Sequence, residues 1–189
     1  MSESTSRWGA DALAVIDLGS NSFRLEIARL RGNDYRSLAY WKEPIRLGAG
    51  LDAGGFLTET AIERALTCLR RFGAELQGFS PDRVRAVATQ TLREARNRNA
   101  FLVRGGEALG HAIEVIAGRE EARLIYAGVS HLQPSDETRL VIDIGGRSTE
   151  IILGQGSTAE VAESFPIGSV GLSQNCFAAG RWNASSFAQ

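Results

Sequence analysis

The sequence predicts an α/β protein built from mixed sheets with helices on their faces. A 13-residue motif occurs twice without a gap, as VIDLGSNSFRLEI at 15–27 and as VIDIGGRSTEIIL at 141–153, 126 positions later. Each copy opens a series of three short apolar segments, the pattern of a β-meander. After the first series, short apolar segments alternate with longer ones of helical periodicity, which indicates parallel crossovers.

The first meander is predicted over residues 12–43. Residues 12–17 are apolar and precede Gly19, residues 23–30 alternate between polar and apolar, and residues 35–41 are rich in aromatic side chains. Such residues favour strands, whereas a turn at Gly32, Asn33 and Asp34 and then Pro44 interrupt the pairing.

The segments after this meander alternate between helix and strand. In order they are a loop over 45–56, a helix over 58–76, a strand over 84–88, a helix from 89, a strand over 113–116 and a helix over 120–131. Thr58 is the predicted N-cap of the first helix, and Gly78 ends it. An interruption is expected in the second helix near Asn97.

The second meander has predicted strands at 140–143, 150–153 and 159–165, followed by the start of a helix over 168–177. The order βββ-α-β-α-β-α followed by βββ-α predicts one complete ribonuclease-H-like unit and the opening meander of another. We place the first domain at 12–125 and a truncated start of the second at 138–189.

Composition narrows the range of functions. The 189 residues are 43% hydrophobic, enough for a good core, and the net charge of −1 gives no overall positive field to attract nucleic acid or a membrane surface. Cys68 and Cys176 lie far apart and only two histidines are present, so we expect neither a disulfide framework nor a zinc site. Because no run reaches the ~20 apolar residues of a membrane span, we expect a cytoplasmic protein.

Both repeats contain a turn suited to phosphate. Its residues are Gly19, Ser20, Asn21 and Ser22 in the first copy and Gly145, Gly146, Arg147, Ser148 and Thr149 in the second. Converging backbone N–H groups hold phosphate oxygens, and Asp17 and Asp143 at the strand ends can bind Mg²⁺. Either turn alone could be an ordinary hairpin turn, but their recurrence in register favours the phosphate interpretation.

Five further charged residues allow two interpretations each. Arg93 follows a strand-to-helix junction and can contact phosphate, or it can pair with a surface glutamate such as Glu94 or Glu120. In the pair Glu120 and Glu121, a carboxylate can activate water or can simply complement the helix dipole. Glu150 can face a metal or solvent, and Arg24 can bind phosphate or lie on a solvated strand face.

Four segments together resemble the N-terminal motifs of one enzyme family. They are residues 14–25, 88–95, 118–125 and 141–150, read as AVIDLGSNSFRL, ATQTLREA, GREEARLI and VIDIGGRSTE. In order and spacing they are similar to those of the exopolyphosphatase/guanosine pentaphosphate phosphatase (Ppx/GppA) family.

This resemblance implies an actin/hexokinase-like arrangement of two ribonuclease-H-like domains with an active site in the cleft. It implies Glu121 as the general base for water, Asp143 and Glu150 as positions for the divalent metal, and the two turns with Arg93 as the phosphate-binding wall. The implied substrates are inorganic polyphosphate and guanosine pentaphosphate.

Two departures from the family pattern bear on these expectations. Arg147 stands where the family has a third glycine, so it either reaches phosphate or crowds the turn. Family members also continue beyond this length, so we expect a truncated second domain that exposes a sheet face and edge and promotes a homodimer or other self-association. The alternatives are a module that binds polyphosphate or nucleotide without turnover and, less favoured, a kinase of the same superfamily.

Overall fold

The computed structural model describes residues 6–32 and 34–176. The chain divides into two compact units, Met1–Val115 and Ile116–Gln189. Asn33 of the predicted first hairpin turn and residues 177–189, including the end of the last predicted helix, lie outside the described residues. No helix in the described ranges has the length and apolar content needed to cross a bilayer.

Unit 1 contains a five-stranded mixed sheet in the order β3-β2-β1-β4-β5. Its strands are β1 Ala12–Leu18, β2 Ser22–Arg31, β3 Asp34–Pro44, β4 Val84–Ala88 and β5 Ile113–Val115. The first three strands are antiparallel, whereas β4 pairs with β1, and β5 with β4, in parallel. The predicted meander with parallel crossovers is confirmed.

The helices of unit 1 are α1 Glu59–Glu75, α2 Gln90–Glu94 and α3 Arg98–Leu109. Thr58 caps α1, since its Oγ1 accepts a hydrogen bond from the Ala61 N–H at 3.4 Å. Asn97 separates α2 from α3 because its amide side chain bonds both the N–H and the C=O of Leu57, at 2.9 and 3.0 Å. The predicted N-cap and interruption are therefore both confirmed.

One face of this sheet forms the main core. Ile16 of β1 lies opposite Leu25 of β2, and both are fully buried. Their core cluster includes Ala65 and Leu69 from the apolar stripe of α1. Packing of this amphipathic helix on the sheet removes apolar surface from water and so stabilises the fold of the first unit.

Unit 2 contains a three-stranded antiparallel sheet in the order β6-β7-β8, with one helix before it and one after it. Its elements are α4 Gly118–Leu132, β6 Thr138–Ile144, β7 Thr149–Gln155, β8 Thr158–Phe165 and α5 Ser169–Cys176. Ala122 and Tyr126 of α4 form a buried cluster with Ile152 of β7.

The position of α4 differs from the domain assignment made from the sequence. The prediction of 12–125 and 138–189 divided this helix, whereas the compact unit that contains it begins at Ile116. The physical reason is that the apolar stripe of α4 covers the second sheet, through Ala122, Tyr126 and Ile152.

The other face of the second sheet carries large exposed apolar side chains. They are Leu140, Ile142, Ile144, Ile151, Leu153, Val161 and Phe165, with exposures of 36–71%. Ile142 and Ile151 are the repeat equivalents of Ile16 and Leu25, which α1 covers in unit 1. The face that is covered in the first repeat is thus exposed among the described residues of the second.

Candidate functional site

The first predicted turn joins β1 to β2 and places a carboxylate beside a guanidinium. Asp17 and Arg24 are direct cross-strand partners. Arg24 Nη1 lies 3.4 Å from Asp17 Oδ2, with the two side chains 50% and 34% exposed. The structure therefore joins a predicted phosphate ligand to a predicted metal ligand in one partly exposed ion pair.

Ser20 connects this turn to the second motif. Thr91 Oγ1 donates a hydrogen bond to Ser20 Oγ at 2.8 Å, and the two residues are only 1% and 6% exposed. Thr91 was not among the predicted site residues. Its signal was its place at the junction of β4 and α2, but only the structure shows which residue its hydroxyl contacts.

Arg93 lies in the short helix α2, which has five residues. Its Nε donates to Gln90 Oε1 at 2.9 Å, and Gln90 Nε2 donates to Glu94 Oε1 at 2.6 Å. The predicted local partner Glu94 is thus linked to Arg93 through Gln90.

The second predicted turn joins β6 to β7. The Gly145 N–H donates to the Ser148 C=O at 2.9 Å, and a Cβ at Gly145 would lie 3.0 Å from that oxygen, which favours glycine. Ser148 is buried. Thr149 Oγ1 donates to the Ile167 C=O at 2.6 Å, so its hydroxyl proton is used within the protein.

An equivalent backbone hydrogen bond supports each of the two turns. The Ser20 C=O accepts from the Gly48 N–H at 2.8 Å, and the repeat-equivalent Gly146 C=O accepts from the Val170 N–H at 2.7 Å. Each donor lies four residues after a proline, Pro44 or Pro166. The duplication therefore extends past the third strand of each meander. A comparison at the fixed spacing of 126 positions misses this part, because the connecting segment is four residues shorter in the second repeat.

A pair of carboxylates lies beside the second turn. Asp143 and Glu150 are direct cross-strand partners, at the positions that Asp17 and Arg24 occupy in the first repeat. Asp143 is exposed, whereas Glu150 is buried and its Oε1 accepts a hydrogen bond from Ser164 Oγ at 2.8 Å. Adjacent carboxylates repel each other, so a cation at this pair is favourable.

These two carboxylates fit Mg²⁺ better than they fit a metal held by protein ligands alone. No group of three or more His, Cys, Asp and Glu residues able to hold a metal occurs within residues 6–32 and 34–176. Mg²⁺ is usually bound by one or two carboxylates together with substrate phosphates and water. Asp143 and Glu150 could therefore hold Mg²⁺ when a phosphate ligand completes its coordination.

Glu121 lies in the first turn of α4, at the same end of the second sheet. Arg119 Nη2 contacts Glu163 Oε1 at 2.7 Å, and Glu163 pairs with Ile151, next to Glu150. Further along the helix, the Tyr126 hydroxyl reaches the Gly156 C=O at 3.3 Å, near the other end of β7. The helix thus starts at the sheet end that carries the second turn.

The two glutamates of this motif have different surroundings in the structure. Both oxygens of Glu120 accept hydrogen bonds from Arg123, at Nε and at Nη2, each at 2.8 Å. This contact raises the pKa of the Arg123 guanidinium. Glu121 is half-buried, and its backbone N–H donates to the Ala117 C=O at 2.9 Å.

Comparison with known families matches residues 27–189 to the Ppx/GppA phosphatase family. The chain belongs to this family. The family prediction made from the four motifs is therefore confirmed, and so is the predicted ribonuclease-H-like, actin/hexokinase-like fold class.

Solved structures of Ppx/GppA relatives superpose on this chain. The Aquifex aeolicus PPX-GPPA enzyme is 34% identical with a TM-score of 0.76, and the match covers 86% of this chain and 55% of the relative. An exopolyphosphatase-like protein is 34% identical with a TM-score of 0.80, covering 86% and 52%. An exopolyphosphatase from Cytophaga hutchinsonii is 34% identical with a TM-score of 0.76, covering 83% and 51%. The chain thus spans about half the length of these relatives.

Arg147 marks a difference from the expected family pattern. Its Nη1 donates to Gln174 Oε1 on α5 at 3.4 Å, and its side chain is half-buried. A Cβ at Gly168 would lie 2.4 Å from the Arg147 backbone nitrogen, so this Ppx/GppA turn packs tightly against the segment that starts α5. The turn accommodates the arginine by placing part of its side chain along that helix.

Proposed function

We propose that this Ppx/GppA protein hydrolyses the terminal phosphoanhydride bond of inorganic polyphosphate or guanosine pentaphosphate. The observation that carries the proposal is the duplicated turn, held by the same backbone hydrogen bond in both repeats. One copy has a carboxylate paired with Arg24 and the other has two carboxylates. Such a set can bind phosphate oxygens directly and also through a divalent cation.

Substrate binding is assigned to both repeats. The backbone N–H groups of residues 19–22 and 146–149 and the serine hydroxyls of both turns donate to phosphate oxygens, and Arg24 and Arg93 add charge-assisted hydrogen bonds. In the second repeat Asp143 and Glu150 would hold Mg²⁺, and in the first repeat Asp17 is the candidate metal ligand. When bound, this ion offsets the negative charge of the phosphoanhydride.

Glu121 is assigned the role of general base. Its carboxylate accepts a proton from a water molecule as the water oxygen forms a bond to the terminal phosphorus. The bond from that phosphorus to the bridging oxygen breaks, and its electron pair leaves with the shortened chain. The products are orthophosphate and a substrate with one phosphate fewer, because the bridging oxygen stays with the leaving group.

The neighbouring glutamates provide a matched test of this assignment. Glu121→Gln keeps the side-chain shape but cannot accept the proton, so we expect phosphate release from tripolyphosphate to fall by about 10²-fold or more while binding is retained. Glu120→Gln removes the carboxylate that holds Arg123. It should release phosphate at close to the unmodified rate. Equal losses in the two variants would show that Glu121 has no special role.

A second candidate function is binding of the same anions without turnover. It is favoured by the observation that the chain spans only 51–55% of the length of the solved relatives. Phosphate release and calorimetric binding of tripolyphosphate, both measured with this 189-residue chain, separate the two functions. Binding with no release at any Mg²⁺ concentration would favour the second.

A further inference from the structure

Arg46, directly after the third strand, has an unusual backbone conformation. Its φ angle is 53°, and among the described residues it is the only one other than glycine with a positive φ. The left-handed conformation is unfavourable for an ordinary L-residue, so glycine or asparagine normally occupies it. A costly conformation at an arginine raises the question of what this side chain does.

The surrounding contacts fix Arg46 against the first turn. Its backbone N–H donates to the Asn21 C=O at 2.7 Å. Ile45 and Leu47 on either side are buried, and Arg64 of α1 donates from Nε to the Ile45 C=O at 2.6 Å. A direct hydrogen bond therefore joins the backbone of residue 46 to the predicted phosphate-binding turn.

The side chain of Arg46 is not needed for this anchoring. It is exposed, and no carboxylate of the described residues forms an ion pair with it. In the second repeat the equivalent of Arg46, counted from the preceding proline, is Gly168. Gly168 has no positive φ. Closing the segment behind a turn therefore requires neither an arginine nor the left-handed conformation.

We propose that Arg46 binds a phosphate oxygen of the substrate at the first turn, an inference that rests on the proposed function. The positive charge of Arg24 is already paired with Asp17. Arg46 supplies an additional guanidinium on a residue whose backbone is bonded to Asn21, and guanidinium groups bind phosphate oxygens by charge-assisted, often bidentate hydrogen bonds. The ligand class is a polyphosphate chain or the phosphates of a nucleotide.

The test is calorimetric titration of the chain with tripolyphosphate in the presence of Mg²⁺. Arg46→Gly removes the side chain and also relieves the backbone, so the variant should melt at the same temperature or higher. Loss of one charge-assisted contact should weaken tripolyphosphate binding about tenfold. Arg46→Asn also tolerates positive φ and should bind equally weakly. The matched control is Arg36→Ala, which removes an exposed arginine from the opposite end of β3.

The outcomes separate this inference from the proposed function. Weaker binding by both Arg46 variants, with unchanged binding by Arg36→Ala, supports the role of Arg46. If the unmodified chain binds tripolyphosphate and Arg46→Gly binds it equally well, the inference is overturned while the proposed function stands. An equal loss in Arg36→Ala also overturns it, because the effect is then general electrostatic attraction. If the unmodified chain does not bind, the proposed function fails, and the inference with it.

Discussion

The hydrogen bond between Ser20 and Thr91 gives the most direct test of how the first turn is held. Both hydroxyls are buried, and their oxygens lie 2.8 Å apart. Thr91→Val keeps the side-chain shape but leaves the Ser20 hydroxyl without this partner. An unsatisfied buried hydroxyl costs about 1–3 kcal/mol, and each kcal/mol lowers the Tm of a chain of this size by about 2–4 °C.

A double-mutant cycle isolates the interaction. Thr91→Val and Ser20→Ala should each destabilise the protein by about 2 kcal/mol, and the double variant by about 2–3 kcal/mol rather than the sum. Urea unfolding followed by tryptophan fluorescence measures these values, because Trp8 and Trp41 both lie in unit 1. Thr91→Ser, which keeps the hydroxyl, is the control and should lose less than either single variant.

The same variants test the link between this contact and binding. If the hydroxyl pair positions the first turn, Thr91→Val should also weaken tripolyphosphate binding, whereas Thr91→Ser should not. Strictly additive losses of stability would show that the two hydroxyls do not interact in solution. A coupling energy with unchanged binding would leave the contact structural only and would refute its proposed connection with the site.

Three further predictions concern packing, association and pH. Gly154→Ala should destabilise unit 2 by about 1–3 kcal/mol in urea unfolding, because its Cβ would lie 2.5 Å from Tyr126 Cζ. If self-association uses the open face of the second sheet, Ile142→Lys should lower the sedimentation coefficient of the associated chain, and an unchanged value would contradict this. The Arg104 hydrogen bond lowers the pKa of Glu59 below 4.5, so this pair stabilises the fold fully above pH 4.5 and less as pH falls through the lowered pKa. Glu59→Gln should therefore lower Tm at pH 7 and lose this effect in strong acid.

The turns could be predicted because their residues are determined by local chemistry. An apolar strand that ends in Asp-X-Gly specifies a reversal, and the second copy at 126 positions confirms the register. Alternation along residues 23–30 likewise identified β2, since one side of this strand is buried. For these turns and strands the local sequence was sufficient for the prediction.

The remaining features depend on contacts between distant segments. The apolar stripe of α4 predicts an amphipathic helix but does not say which sheet it covers, and Tyr126 pairs with Ile152 rather than with the first sheet. The hydroxyl contact of Thr91 joins residues 71 positions apart. The left-handed backbone conformation of Arg46 could not be predicted from the sequence, because the residues that favour this conformation are glycine and asparagine and position 46 is an arginine.

The duplication explains why the two turns need not perform the same task. Both have a carboxylate at the end of the first strand, but its cross-strand partner is Arg24 in one repeat and Glu150 in the other. At the first turn Asp17 balances one guanidinium, and Arg46 and Arg93 lie on segments that are hydrogen-bonded to that turn, which is the arrangement that the proposed direct binding of phosphate requires. At the second turn the two carboxylates repel an anion unless a cation intervenes. A fold that presents the same backbone turn twice can thus place differently charged side chains beside each copy.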